Sequence, residues 1–335
     1  MINLIDKFKN KAKKNPQRIV LPEGEEERII KAAEIVSREG IAFPLLLGNA
    51  EKIEKKIRYL GIDSTNLKIV DPLNFPKMPE YTSFYCRMRK DHSVSETMAN
   101  LILKKSLNLA ALMVRLGDAD GMVAGAVNLT ASVLKSGILI IGLREGISIP
   151  SSFFIMVIPN SSMGEEGILV FADAAVNPNP TSSELAEIAI STARNAEVLL
   201  EWKPRVALLS FSTKRSASHP LVDKVVRATR IVQEKVPNLL VDGDLQADAA
   251  LVPSVAQRKA KKSKVAGRAN VLIFPNLDAA NISYKLVQYL AQSQAYGPIL
   301  QGFVQPINDL SRGANIEDIV TIITITVLQA QGNEE

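Results

Sequence analysis

Short apolar runs alternate with segments of helical spacing along the N-terminal part of the chain, and that alternation admits few architectures. Arg18–Leu21 is an apolar run that stops at Pro22. Residues 25–38 then place Ile29, Ile30, Ala33 and Val36 on one helical face, with Gly40 as the stop. Ala42–Leu47 and Glu51–Tyr59 repeat the unit, and Leu67–Val70 reads as a third strand. Ser93 with Glu96 has the spacing of a capping box for a helix through Leu107. Asp120–Val127 reads as a strand entering a glycine-marked turn, and Ala131–Leu143 as a further helix. Strand–helix–strand order brings each strand back parallel to the last, so the expected fold class is α/β with a parallel sheet covered on both faces.

From Ser151 the runs lengthen. Phe153–Ile158 and Ile168–Ala172 read as strands, and Asn177-Pro178-Asn179-Pro180 forces a turn. Thr181 with Glu184 is a second capping box, opening a helix toward Leu200. Strands are expected at Arg205–Phe211, Leu239–Val241 and Asn270–Phe274, separated by helices at Leu221–Glu234, Leu245–Lys261 and Ile282–Gln292. A chain of 335 residues exceeds one ordinary core. The change of pattern near 144–150 therefore divides it into residues 1–147 plus 296–335 and residues 148–295, with the last helix, Glu317–Gln331, returning to the first domain.

Several function classes are disfavoured by composition. The net charge of +5 is diffuse and aromatic residues are only 5%, which speaks against nucleic acid. Cys86 is the single cysteine and His92 and His219 are the histidines, so a disulfide framework is excluded within the chain and no Cys/His metal site is expected. Ile2, Ile5, Phe8 and Ala12 form a short docking helix with a solvated lysine face, and Lys259–Lys264 reads as a solvated loop. With no apolar signal core and no run of about 18 apolar residues, a cytoplasmic protein without a membrane partner is expected.

Chemistry concentrates in Gly297–Asp318, GPILQGFVQPINDLSRGANIED. Gly297–Gln305 reads as strand or loop, and Pro306 bars a regular central ladder. Asn308, Asp309, Ser311, Arg312 and Gly313 follow, and Asn315 stands as N-cap of the last helix. Ser311 and Arg312 thus fall in the turn feeding that helix. The positive helix end, the guanidinium and the amides of Gly313 to Ile316 favour an anion, most simply a phosphate, and Asp318 adds a carboxylate in the first turn. Taken singly, Asp318 is a helix-start acid, Ser311 a turn residue and Arg312 a surface ion-pair partner.

NDLSRG followed by an Asp in the next helical turn and preceded by GPILQG resembles the C-terminal active-site signature of phosphate acetyltransferases. LPEGEEER (21–28), GMVAGAV (121–127), VFADAAVNPNPT (170–181), LSFSTK (209–214), DGDLQADAA (242–250) and ANVLIFPNLDAANISYKLVQ (269–288) extend the resemblance over nearly the whole chain. It implies two doubly wound α/β domains with mostly parallel sheets and an interdomain cleft, similar to isocitrate and isopropylmalate dehydrogenases, in a homodimer. It also implies acetyl transfer between phosphate and coenzyme A by direct attack of the thiolate in a ternary complex, with acetyl-CoA and acetyl phosphate as partners. Coenzyme A is then a substrate, and no permanent cofactor or metal is expected.

By the same resemblance Asp318 removes the thiol proton, Ser311 is a hydrogen-bond partner and Arg312 a phosphate ligand. Arg28 and Arg89 match basic positions for phosphate or coenzyme A, with Arg87 an alternative to Arg89. Asn128, Leu129 and Thr130 stand where the family has a His-Ser-Thr-like turn, and Lys135 where it has an Arg one turn into the helix. Lys135 keeps the charge but loses the bidentate fork. Asn128, Thr130, Lys135 and Asn308 complete the expected substrate-binding set. Phosphate butyryltransferase activity and a non-catalytic acetyl-CoA-binding role are the alternatives.

Overall fold

In a computed structural model, which describes residues 4–90 and 94–334, the chain folds into two compact units. One is the chain up to Gly142 together with the segment from Phe303; the other is Leu143–Gly302. The expected boundaries were 147 and 296. Residues 296–301 stay in the second unit because the strand Gln294–Gln301 pairs with Ser151–Val157 in the second sheet.

The first unit contains β1 (Gln17–Leu21), β2 (Ala42–Leu47), β3 (Lys68–Val70) and β4 (Gly121–Ala124), and β11 (Ile307–Asp309) joins them from the far end of the chain. The order is β11-β4-β1-β2-β3, and every pairing is parallel. Ile19, Val20 and Leu21 of β1 are all fully buried, as a strand covered on both faces requires. Pro306 immediately precedes β11, and β11 lies at the sheet edge, where a missing N–H breaks no central ladder.

Helix α1 (Leu4–Ala12) buries Phe8 and Ala12; Ile2 lies outside the described residues. Helix α2 (Glu27–Arg38) buries Ile29, Ile30, Ala33 and Val36, with Lys31–Glu27 and Arg38–Glu34 pairs at 2.5 and 2.6 Å along its outer side. α3 (Ala50–Leu60) follows β2 and ends on Gly61 at φ 65°, a left-handed cap. α4 (Met78–Met88), which buries Met78, Tyr81 and Tyr85 on one face, is not among the expected helices. Ser93 and His92 lie outside the described residues, and α5 (Glu96–Leu103) is capped instead by Ser95, which accepts from the Met98 amide at 3.2 Å. The single helix expected through Leu107 is two, because α6 (Ser106–Arg115) starts anew after Lys104-Lys105; the Asn108 amide spans the break to the Ile102 carbonyl at 3.0 Å. Ala131–Leu143 likewise divides into α7 (Thr130–Ser136) and a π-helical turn at 137–141.

In the second unit β5 (Ser151–Val157), β6 (Ile168–Ala172), β7 (Arg205–Leu209), β8 (Leu240–Leu245), β9 (Val271–Ile273) and β10 (Gln294–Gln301) run in the order β10-β5-β6-β9-β7-β8. The β10–β5 and β5–β6 pairings are antiparallel and the rest, β6–β9 included, parallel. α8 (Ser182–Leu200) opens on the expected capping box: Thr181 accepts from the Glu184 amide at 3.3 Å and Glu184 from the Thr181 amide at 2.7 Å. After α9 (Pro220–Lys235), the helix expected over Leu245–Lys261 appears as α10 (Ala247–Leu251) and α11 (Pro253–Lys259), since Pro253 has no N–H to continue the ladder. α12 (Leu277–Leu290) starts on Asn276, whose side chain accepts from the Ala279 amide.

The last helix, α13 (Ile316–Glu334), packs on α2, β1 and β4 in the first unit. Successive residues of β11 face opposite sides of the sheet. Asn308, fully buried, donates to Thr326 Oγ1 and Gln329 Oε1 of α13, both at 2.8 Å. Its side chain therefore points into the core under α13, away from the substrate-binding place expected for it. Asn308→Ala strips two buried acceptors of their donor and should destabilise the protein by about 2–4 kcal/mol, read as a lower urea midpoint.

Candidate active site

The neighbouring strands β1, β4 and β11 release three loops at their C-terminal ends: 22–26, 125–129 and 310–315. β1 lies where the chain turns outward in both directions, the position at which open α/β sheets receive ligands. Here the loop amides enclose a carboxylate from the chain itself. Glu23, 8% exposed, accepts from the amides of Gly125 (3.1 Å), Ala126 (2.8 Å), Val127 (3.0 Å) and Asn128 (2.6 Å), and from the Asn128 side chain at 2.8 Å. Successive N–H groups aimed at one point form an anion nest. Gly125 has φ 113°, and a Cβ there would strike Asp309 Oδ1 and come within 2.5 Å of the Leu310 carbonyl. Only glycine fits.

The 310–315 turn is held from behind. Arg28, near the start of α2, donates Nη1 to the carbonyls of Arg312 (2.9 Å) and Ala314 (2.8 Å), Nη2 to Ala126 (3.3 Å) and Nε to Glu26 (2.7 Å). Ser311 Oγ, exposed, accepts from the Gly313 amide at 3.3 Å. Asn315 and Asp318 cap α13 reciprocally: Asp318 accepts from the Asn315 amide at 3.0 Å and Asn315 from the Asp318 amide at 2.9 Å. The Arg312 guanidinium is exposed and has no hydrogen bond or ion pair among the described residues.

Ser311, Arg312, Asp318 and Arg28 thus meet at one turn, with Asn128 and Thr130 in the next loop. Arg89 caps the C-terminus of α4 and shares no hydrogen bond with them. Lys135, exposed on α7, lines a cavity of about 860 Å³ together with Asn128, Lys105, Tyr85, Ile102 and Ile140. Ser311, Arg312 and Asp318 are not part of that wall. Among the described residues no group of three or more His, Cys, Asp or Glu could hold a metal ion, and no helix is long and apolar enough to cross a membrane.

The family model described as phosphate acetyl/butaryl transferase matches residues 3–327. The chain belongs to this family. It is 49% identical over 330 residues to the phosphate acetyltransferase of Thermoanaerobacterium thermosaccharolyticum, covering 98% of this chain and 100% of that one. It is 46% identical over 332 residues to the enzyme of that name from Acetivibrio thermocellus, covering 98% and 99%. Among solved structures, a phosphotransacetylase from Streptococcus pyogenes superposes with a TM-score of 0.93 at 39% identity, over 99% of this chain and 98% of the other. A putative 4-hydroxythreonine-4-phosphate dehydrogenase from Salmonella typhimurium shares the fold, with a TM-score of 0.54 at 13% identity over 94% and 99%.

Within this family member two carboxylates escaped sequence reasoning. Glu23 enters the sequence reading only as part of the LPEGEEER block, with no role of its own. Asp309 sat in the NDLSRG block with no role. It is 3% exposed, and burial pushes its carboxyl up to about 6; the Thr130 hydroxyl, 2.5 Å from Oδ2, acts against this and the Glu23 charge with it. The change from the ordinary value of 3.8 is worth on the order of 3 kcal/mol in favour of the protonated form. A folded-state value above the unfolded one means that this stabilisation is present below about 4 and is lost as pH rises through about 6. The departure at Asn128 also finds a partner here, since its side chain completes the Glu23 shell, and Thr130 grips Asp309. Glu23→Gln turns one acceptor oxygen into a donor inside a ring of donors, and should lower stability by roughly 3 kcal/mol in urea unfolding.

Proposed function

We infer that this chain interconverts acetyl phosphate and coenzyme A with acetyl-CoA and phosphate. It is an acyltransferase, and relatives matched over their full length carry the acetyl rather than the butyryl name. The observation that carries the reading at the level of residues is the Arg312 guanidinium, exposed and without a partner among the described residues, on a turn anchored by Arg28, with Ser311 before it and Asp318 after it. In the proposed mechanism Asp318 takes the proton of the thiol, and sulfur bonds to the acetyl carbonyl carbon. The bond from that carbon to the bridging phosphate oxygen breaks, and phosphate leaves neutralised by Arg312, with Ser311 donating a hydrogen bond. Cationic neighbours ease the proton transfer by lowering a thiol pKa of ~8.5. The cavity beside Asn128 is apolar at Ile102 and Ile140 and lined by Glu23, Glu25 and Glu26 as well as Lys105 and Lys135; the two lysines are the candidates for the anionic part of the long thiol carrier. Arg89 is a further candidate for its phosphates.

We take the working form to be a cytoplasmic homodimer. What supports a second copy is a stripe on α12: Ile282, Leu286, Tyr289 and Leu290 fall on one helical face and are 57%, 52%, 78% and 81% exposed. Tyr289→Asp with Leu290→Asp is expected to give a monomer in light scattering after gel filtration.

The decisive assay is thiol-dependent release of phosphate from acetyl phosphate. Arg312→Ala should raise the KM for acetyl phosphate by about 10- to 100-fold, the value of a lost charged hydrogen bond. Asp318→Asn should lower kcat by a similar factor with KM little changed. Normal kinetics in both variants would remove these residues from the mechanism.

A further inference from the structure

Asp309 is held in a way that the fold alone does not require. Its Oδ2 accepts from Thr130 Oγ1 at 2.5 Å, while its buried Oδ1 has no hydrogen-bond partner among the described residues. Oδ1 faces the Cα of Gly125, where any side chain would collide with it. Glu23 supplies the contrast: four backbone amides and a side-chain amide surround that carboxylate, against a single hydroxyl for Asp309. A poorly solvated buried carboxylate weakens the fold when it ionises. An amide of the same shape would accept the Thr130 hydroxyl without that penalty.

The carboxylate grips a residue with a strategic position. Thr130 is the first residue of α7; Asn128 precedes it, and Ser132 and Lys135 on α7 line the cavity. Asp309 closes β11 two residues before Ser311. The Thr130–Asp309 bond therefore ties the Asn128–Lys135 segment to the turn that carries Ser311 and Arg312. A hydrogen bond to an ionised carboxylate is about twice as strong as one to a neutral acceptor.

We propose that Asp309 is a positioning residue for acyl transfer, whose carboxylate fixes Thr130 and thereby keeps the wall of Asn128 and Lys135 in register with the Ser311–Arg312 turn. This rests on the acyl-transfer reading above. The ionisable groups on the surrounding elements are Glu23 after β1, Arg28 on α2, Lys135 on α7, and Arg312 and Asp318 beyond β11. Glu23 is the one that acts on the proton affinity of Asp309, and it acts in the same direction as burial. Protonation weakens the grip on Thr130 and adds a donor beside Gly125, so kcat/KM falls as pH drops through about 6.

The test measures kcat/KM for thiol-dependent phosphate release between pH 5 and 8 in wild type, Asp309→Asn, Thr130→Val and the double variant, with thermal midpoints at pH 8. Asp309→Asn is expected to lose about tenfold in kcat/KM at pH 8 and to lack the acidic limb near 6, with a thermal midpoint equal to wild type or higher. Thr130→Val should match it, and the double variant should be no worse than either single one. An active wild type alongside an Asp309→Asn variant of unchanged kcat/KM overturns the proposal. So does a variant in which activity and thermal midpoint fall together while the acidic limb persists, the signature of a merely structural carboxyl. A wild type that releases no phosphate with thiol overturns the acyl-transfer reading, and this proposal with it.

Discussion

A carboxylate enclosed by backbone amides organises the first unit. Glu23 leaves the end of β1 and occupies the nest formed by residues 125–128 after β4, which joins two adjacent strands at the point where the sheet reverses its winding. An empty nest at this position would attract a solvent or substrate anion. Because the chain fills it, the loop after β4 gains a fixed shape. The turn after β11 carries an exposed guanidinium and the start of α13.

The arginines of this region divide the work by position. Arg28 spends its donors on the carbonyls of Arg312, Ala314 and Ala126, and so acts on the backbone of two loops at once. The Arg312 side chain has no partner among the described residues. A guanidinium on a turn whose main chain is already fixed binds an oxyanion without first having to order the turn, which is the physical content of preorganisation. Asp309 lies beneath the same turn, and its bond to Thr130 links the loop after β4 to the strand that carries the turn.

Much of the fold was legible because hydrophobic burial is periodic. β1, α2, β2 and α3 emerge from apolar spacing alone, and the Thr181–Glu184 capping box is a local pattern whose two hydrogen bonds both form. Elements without such a signature escaped. α4 buries Met78, Tyr81 and Tyr85 at helical spacing, but Pro79 and the polar residues between them mask the pattern, and β11 is three residues long beside a proline, paired to a strand more than 180 positions earlier in the chain. The merged helices around Leu107 and Leu251 failed at breaks made by a side chain capping a carbonyl and by Pro253, events of one or two residues within a continuing apolar pattern.

The site shows the same division. NDLSRG and the cap at Asn315 could be read directly, since a turn, a helix start and their charges are contiguous in the chain. The direction in which Asn308 and Asp309 point could not, because it depends on which face of β11 meets α13. By itself the sequence determined the α/β alternation, the family and the cluster of Ser311, Arg312 and Asp318, all of which rest on local spacing. Tertiary structure alone decided that Glu23 fills the nest, that Arg28 serves the backbone, and that Asp309 is buried with one oxygen unsatisfied. Those outcomes require residues about 100 to 290 positions apart to meet in a medium of low dielectric, where the number of donors around each charge sets its role.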